Sequence, residues 1–327
     1  MTNNLTRRGV VGLLGLAPFS GATLAQATAW KPSQPVEFVV GFPPGGGNDS
    51  YGRAIAAAMA SEFGGAPAVV VNRPGAAQGL ALSQVRQSPA DGHSIFVVSA
   101  GSLIHRGLFA KPEQDLSSGM TFLGAFGNLA SALFVRAKSP IKSGADWLDQ
   151  MKAASRPVRW AHSGRQVVYH VAGEALLRRN DLRSRDVPFQ GAAEARNALI
   201  NEEVEFGVFG TQHLAGFEGE LRILGVIADQ RDVSVPNVPT MAEQGVKCPD
   251  VSSLCTLMVR SDTPALIVEA LTDNLRQAAA SEVYRKSVAT AGLPPIWMER
   301  AATEEWWRKS TETLRPVIQE LSAPVGK

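Results

Sequence analysis

Residues 35–49 read PVEFVVGFPPGGGND, and this stretch decides the fold. Val36, Phe38, Val39 and Val40 form an apolar run of strand length, Gly41 to Gly47 a turn, and Asn48 to Phe63 an Ala-rich helix closed by Gly64 and Gly65. A strand that passes through glycines straight into a helix is the opening of a parallel βαβ unit. Three consecutive glycines tolerate positive φ and leave backbone N–H groups facing outward at the positive end of the helix dipole. Such a turn attracts a carboxylate or a phosphate, although a tight turn that simply needs glycine has the same sequence. No Lys follows, so it is not a phosphate loop of the G-x-x-x-x-G-K-[ST] kind, and it lacks the G-x-G-x-x-G spacing of a dinucleotide turn.

The same grammar continues outward. Val69 to Val71 reads as a strand, Asn72 to Gly75 as a loop, Ala76 to Arg86 as a helix and Ile95 to Val98 as a third strand. A second unit starts near Ala132, with strands at Leu133 to Val135, Val158 to Ala161, Val187 to Phe189, Val204 to Phe209 and Ile223 to Ile227. Helices fall between them: one through Ala154 opened by a Ser143/Asp146 capping box, Val167 to Arg179, and Ala192 to Asn201. After a strand at Leu254 to Val259 the tail is helical, over Pro264 to Ala280, Glu282 to Ala291 and Thr303 to Leu321, with Pro264 expected at N1 and Thr303 at an N-cap. A lone helical tail has no sheet to cover, so it returns to the first unit and the chain crosses twice. The expected lobes are 30–127 with 255–327, and 128–254, hinged near Gly124 to Leu133 and Val251 to Arg260.

Composition agrees with two well-cored lobes. Of 327 residues 45% are apolar and 19% charged, and the formal charge is +2, too even to hold nucleic acid or a membrane surface. Residues 1–29 read as an export signal: Arg7 and Arg8, a short apolar stretch from Val10 to Leu16, and A-x-A cleavage sites after Ala27 or Ala29. The paired arginines fit the twin-arginine route or a general secretory signal. Cleavage removes two arginines and no acid, which leaves the mature chain neutral. A periplasmic, monomeric protein is expected. Cys248 and Cys255 are the cysteines, able either to pair or to stay as two buried thiols.

Three more loops stand where the first glycine turn does, at strand ends: Asn72 to Gly75, Ser99 to Ser102, and Ser163 to Gln166. Ligands of open α/β sheets bind outside the carboxyl ends of the strands, so these loops share one cleft. Catalysis is poorly supported. Ser99 has Val97 where a nucleophile elbow needs glycine, and the histidines at 93, 105, 162, 170 and 213 show no H-x-x-x-H spacing, so neither a catalytic residue nor a metal site is expected. Trp306 and Trp307 read as packing residues of an amphipathic helix.

The run from Pro35 through FPPGG to Asp49 is joined by VVVNRPGA at Val69 to Ala76, the Ala90-Asp91-Gly92 turn, VPFQGAA at Val187 to Ala193 and VPTMAEQG at Val238 to Gly245. Together they resemble one family, the extracytoplasmic solute receptors of tripartite tricarboxylate transporters, or Bug receptors. The resemblance runs along almost all of residues 30 to 325. It implies a periplasmic-binding-protein type II fold: two α/β lobes, a double-crossover hinge, and a ligand cleft holding a di- or tricarboxylate or an aromatic carboxylate. It implies no cofactor, and as partners membrane permease subunits or a sensor ectodomain. Carried over, the ligand loops are Phe42, Pro43, Gly45, Gly46, Gly47 and Asp49; Ser99, Gly101 and Ser102; Ser163, Gly164, Arg165 and Gln166; and Gly191 with Ala192. The third loop departs from the family pattern, since Arg165, Gln166 and Val167 replace small residues before His170. Arg165 either faces water or swings into the cleft to pair with a ligand carboxylate, in which case its loss costs about 2 kcal/mol of binding. Rival readings are a receptor that feeds a signalling partner, and a secreted hydrolase using Ser99 or Ser163 with a histidine.

Overall fold

The computed structural model describes residues 30–111, 115–249 and 251–323, so the export signal read at 1–29 lies outside the described residues. The first lobe opens with β1 (Val36–Val40), α1 (Gly47–Met59), β2 (Ala68–Asn72), α2 (Gly79–Gln87), β3 (Ser94–Ser99), α3 (Ala100–Ala110) and β4 (Met120–Asn128). β1 runs parallel between β2 and β3. Its apolar residues are buried on both sides: Phe38 and Val40 pack with Ile55 and Met59 of α1, while Val39 packs with Leu82 and Val85 of α2. That explains a near-continuous hydrophobic run instead of an alternating one.

The second lobe follows as β5 (Ser131–Arg136), α4 (Gly144–Ala153), β6 (Val158–His162), α5 (Val168–Arg179), β7 (Ser184–Pro188), α6 (Ala192–Ile200), β8 (Phe206–Gly210) and β9 (Leu221–Val226). Ser143 caps α4 as its sequence requires, its Oγ accepting the Asp146 N–H at 3.0 Å. The chain then returns to the first lobe with β10 (Leu254–Arg260), α7 (Ala265–Ala280), α8 (Glu282–Thr290), β11 (Pro295–Met298) and α9 (Arg300–Ser322). The sheets have the orders β11-β4-β10-β3-β1-β2 and β7-β6-β8-β5-β9. Among the described residues no helix is long and apolar enough to cross a membrane.

Several boundaries differ from expectation. α2 starts at Gly79 because Ala76, Ala77 and Gln78 hold φ of 48°, 44° and 72°. Pro264 is the N-cap of α7 and not its first residue. Thr303 lies inside α9, where its hydroxyl bonds back to the Glu299 carbonyl at 3.0 Å, and Glu299 is the cap. β4 and β11 have no counterpart in the sequence reading. Aromatic rings occupy the space beside the glycines of β4: a Cβ at Gly124 would stand 2.8 Å from the Trp297 ring, and one at Gly127 2.5 Å from Tyr51. These glycines serve close packing inside a strand, and they mask the strand pattern.

The expected hinge segments are therefore largely strand. Only Leu129 and Ala130 separate β4 from β5, and Leu129 N–H donates to the Ser253 carbonyl (2.8 Å) just before β10. α9 packs on α3 and β4 of the first lobe, and its last carbonyls accept from Arg178 of α5 in the second. The two cysteines are not bridged to each other: Cys255 is buried, and Cys248 is half-buried with its thiol donating to the Pro249 carbonyl at 3.4 Å.

Candidate functional site

Between the two sheets lies a cavity of about 150 Å³. Four helices present their N-termini to it: residues 46–48 at α1, Ser99 and Ser102 at α3, Val167 and Val168 at α5, and residues 191–193 at α6 all line its wall. The first N–H groups of each helix have no acceptor within it, and each end carries about half a positive charge. Four such ends around one cavity make an anion site without any cationic side chain. The lining indeed contains no Lys, Arg or His.

Internal hydrogen bonds set which donors remain. Val168 N–H, from the second lobe, donates to Ser102 Oγ of the first at 3.0 Å. Gly101 N–H donates to Ser253 Oγ at 2.9 Å, and Ser99 Oγ bridges Ser253 (3.0 Å) and Ser102 (3.1 Å). The side chain of Gln78, buried in its left-handed backbone, grips Ser99 by both main-chain groups at 2.9 Å. At α6, Gln190 N–H is taken by Glu194 Oε2 at 3.1 Å. α1 has no side-chain cap at Gly46. Asp49 is turned away from the cavity, accepting from Gly45 N–H (3.0 Å), Arg53 (3.0 Å) and Asn72 (2.8 Å), so it fixes the glycine turn. Tyr169 contributes its ring and hydroxyl, which burial pushes up to about 12 and so keeps neutral.

The cavity brings together Phe42, Pro43, Gly46, Gly47, Ser99, Ser102, Ser163, Gly191 and Ala192. Gly45 and Asp49 lie behind the turn, and Gly101 is pressed against Ser252 and Ser253. Gly164, Arg165 and Gln166 are not on its lining but on an adjoining groove that shares Phe42, Pro43, Ser163, Val167 and Gln190 with it and also holds Gln78 and Arg106. The sequence reading missed Leu129, Tyr169, Gln190 and Glu194. Gln190 adjoins the glycine of the VPFQGAA motif and could have been found there; the others depend on tertiary placement.

Arg165 takes the first of its two expected courses and faces outward. Its guanidinium holds Asp186, with Nε 2.8 Å and the second contact 3.2 Å from the carboxylate, and 63% of the side chain is exposed. Asp186 in turn lies 3.3 Å from His162 Nε2. His162 and His170, separated by a turn in sequence, have ring centroids 4.7 Å apart. Among the described residues these two with Asp186 are the group whose ligating atoms lie within 4.8 Å of one another. The carboxylate is already committed to a guanidinium, which opposes a second cation at the same oxygens. Arg165→Ala should therefore leave ligand affinity within about twofold of wild type and cost under about 1 kcal/mol of stability, as for exposed ion pairs. A tenfold affinity loss by calorimetric titration would put Arg165 back in the cleft. Neither serine meets a histidine as a hydrolase requires: Ser99 is bonded to serines, and the ring nitrogens of His162 face Gly164 and Asp186.

The family model described as "Tripartite tricarboxylate transporter family receptor" matches residues 52–323. This chain belongs to that family. A relative from Pseudomonas sp. (strain P51), described as a UPF0065 protein in the tcbD-tcbE intergenic region, is 29% identical over 322 residues, covering 97% of this chain and 95% of its own. Among solved structures, MatC from Rhodopseudomonas palustris with bound malate superposes with a TM-score of 0.79 at 24% identity, over 88% of this chain and 99% of MatC. Another R. palustris protein, solved with adipate, gives 0.80 at 24% identity, over 88% and 97%. At these identities the receptor shares their fold of two α/β lobes.

Proposed function

We propose that the receptor is a periplasmic solute-binding protein that closes its lobes on a small organic carboxylate and presents the closed form to transporter permease subunits. The observation that carries this reading is the convergence of four helix N-termini on one interlobe cavity. An anion there gains oriented N–H donors in a site sheltered from water, where such donors are strongest. The structural neighbours solved with malate and adipate support the same ligand class. The lobes, 30–127 with 255–327 and 128–254, move as bodies about the short crossings at 129–130 and 251–253. Opening breaks the Ser102 to Val168 bond, and a ligand that contacts both lobes restores the closed form. No covalent step is involved.

Export follows from residues 1–29, so mass measurement of periplasmic protein should place the mature N-terminus between Thr28 and Trp30. A thermal-shift screen of that protein against carboxylates should find acids that raise the melting temperature, because a ligand of the folded state alone stabilises it. Recovery of the acid chemically unchanged is expected. A full-length cytoplasmic product, or turnover of the bound acid, would contradict the reading.

A further inference from the structure

At about 150 Å³ the cavity falls short of the roughly 300–1,000 Å³ of most small-molecule sites, so a ligand of ordinary size extends beyond it. The space it extends into is the adjoining groove of about 410 Å³, which, like the cavity, takes one wall from each lobe. The two differ in charge. Among the described residues the cavity lining carries an acid, Glu194, and no cation, whereas the groove lining carries two guanidiniums, Arg106 and Arg165, and no acid. Asp186 already neutralises Arg165 through two contacts. Arg106 has no such partner. Half-buried on α3, it gives one N–H to the Ala76 carbonyl and, among the described residues, meets no carboxylate, so most of its N–H donors stay uncommitted. The first turn of α2, against which it lies, holds no acid either. Its place there depends on Gly79, where a Cβ would stand 2.6 Å from Arg106 Cζ and 2.7 Å from Nη2.

A guanidinium without a counter-ion, in an interlobe groove without acids, is the complement of a carboxylate, which it meets with paired, charge-assisted N–H bonds. We infer that the groove is a second ligand subsite, in which Arg106 binds the far carboxylate of an elongated dicarboxylic acid whose first carboxylate lies among the helix ends of the cavity. The carbon chain between the two passes Phe42 and Pro43, apolar residues that line both spaces. A diacid too short to reach the groove gains nothing from Arg106. The inference rests on the carboxylate-receptor reading and narrows its substrate class. Arg106 also has a structural task, since the Ala76 carbonyl it holds begins a run of three left-handed residues whose backbone persists only where its surroundings fix it. The test must separate that task from ligand binding.

Calorimetric titration of the mature protein with succinate, adipate and suberate, and with butyrate, hexanoate and octanoate as monoacids of matching length, makes that separation. The tightest diacid should bind about tenfold or more tighter than its own monoacid, and Arg106→Gln should abolish most of that difference by weakening the diacid alone, leaving the monoacid within about twofold. Gly79→Ala, which pushes the guanidinium aside and keeps its charge, should weaken the same diacid, while Arg165→Ala should not. Melting temperatures of the empty variants show which of them fold. Monoacids binding as tightly as their diacids would overturn the inference and leave the carboxylate reading intact. An equal loss of both acids in folded Arg106→Gln, the mark of a residue that only holds the Ala76 turn, would overturn it too. If Arg106→Gln does not fold, the wild-type comparison and Gly79→Ala decide, and an unchanged diacid affinity in Gly79→Ala then overturns it. Binding of no acid at all would overturn the carboxylate reading and this inference with it.

Discussion

Gly47→Val is expected to weaken ligand binding by about a hundredfold, or about 2.7 kcal/mol, the upper range for forcing extra atoms into a packed contact. A Cβ at Gly47 would stand 2.4 Å from Gln212 Nε2, 2.8 Å from Leu129 Cδ2 and 3.1 Å from Gln212 Cδ. Gln212 belongs to the turn at Thr211–Leu214 after β8, in the second lobe, while Gly47 opens α1 in the first. The added bulk therefore acts as a wedge between lobes. Gln212 has little room to retreat, since its amide already crowds Gly210 and lies 3.5 Å from the Tyr169 hydroxyl. Opening the lobes relieves the clash, so the penalty falls on the closed, ligand-holding state, and the apparent affinity drops with that state's population. Gly46→Val is the control. A Cβ at Gly46, the neighbouring glycine of the same turn, meets only the Pro43 carbonyl at 4.0 Å, and its effect should be much smaller. Titration calorimetry on both variants, with the melting temperature of each empty protein, makes the comparison. Wild-type affinity in folded Gly47→Val would mean that the ligand-bound lobes do not close over α1.

The glycine turn at 41–47 was legible because its chemistry is local: strand, glycines and helix follow one another in the chain, and the cavity wall there follows from them. The parallel β1, β2 and β3 were legible for the same reason, as continuous apolar runs between helices. β4 was not, because Gly124 and Gly127 interrupt its pattern to admit Trp297 and Tyr51, and neither ring can be assigned to a glycine before the fold is known. Arg165 shows the same limit within the site. Its partner Asp186 lies 21 residues along the chain on the neighbouring strand, and only the parallel pairing of β6 with β7 brings the carboxylate within reach. His162 and His170 illustrate it once more: eight residues separate them in sequence, and the turn into α5 folds their rings together. Gln78 completes the list of unreadable residues, since nothing in the loop sequence shows that its amide will clamp the Ser99 backbone.

Lowering the pH from 7.5 to 5 should cost the empty receptor about 3–4 kcal/mol of stability through two buried histidines, on the scale of about 1.4 kcal/mol per pH unit for each group. Burial pushes the imidazoles of His105 and His213 down to about 3. Neither ring nitrogen of His105 and not Nε2 of His213 has a hydrogen-bond partner, so no acceptor is present to offset a charge there. In the unfolded chain both titrate near the ordinary value of about 6.5. Above that pH neither state binds the proton and stability is full. As the pH falls below it, the unfolded chain gains protons that the folded chain refuses, and stability declines until the pH reaches about 3. His170, pushed down to about 3 by burial and by neighbouring His162, acts in the same direction. Glu174 opposes it, because burial raises its carboxyl and protonation is then favoured by folding. Asp186, held low by Arg165 and His162 despite partial burial, adds to the loss only in the carboxylate range. Urea unfolding at pH 7.5, 6 and 5 measures the decline, and His105→Leu assigns it. The leucine removes one of the two titrations while keeping an apolar side chain in an apolar position, so the variant should lose about 2 kcal/mol less than wild type across the same interval. Parallel pH curves for the two proteins would show that His105 takes up its proton without unfolding, and that the space around α3 admits a charge.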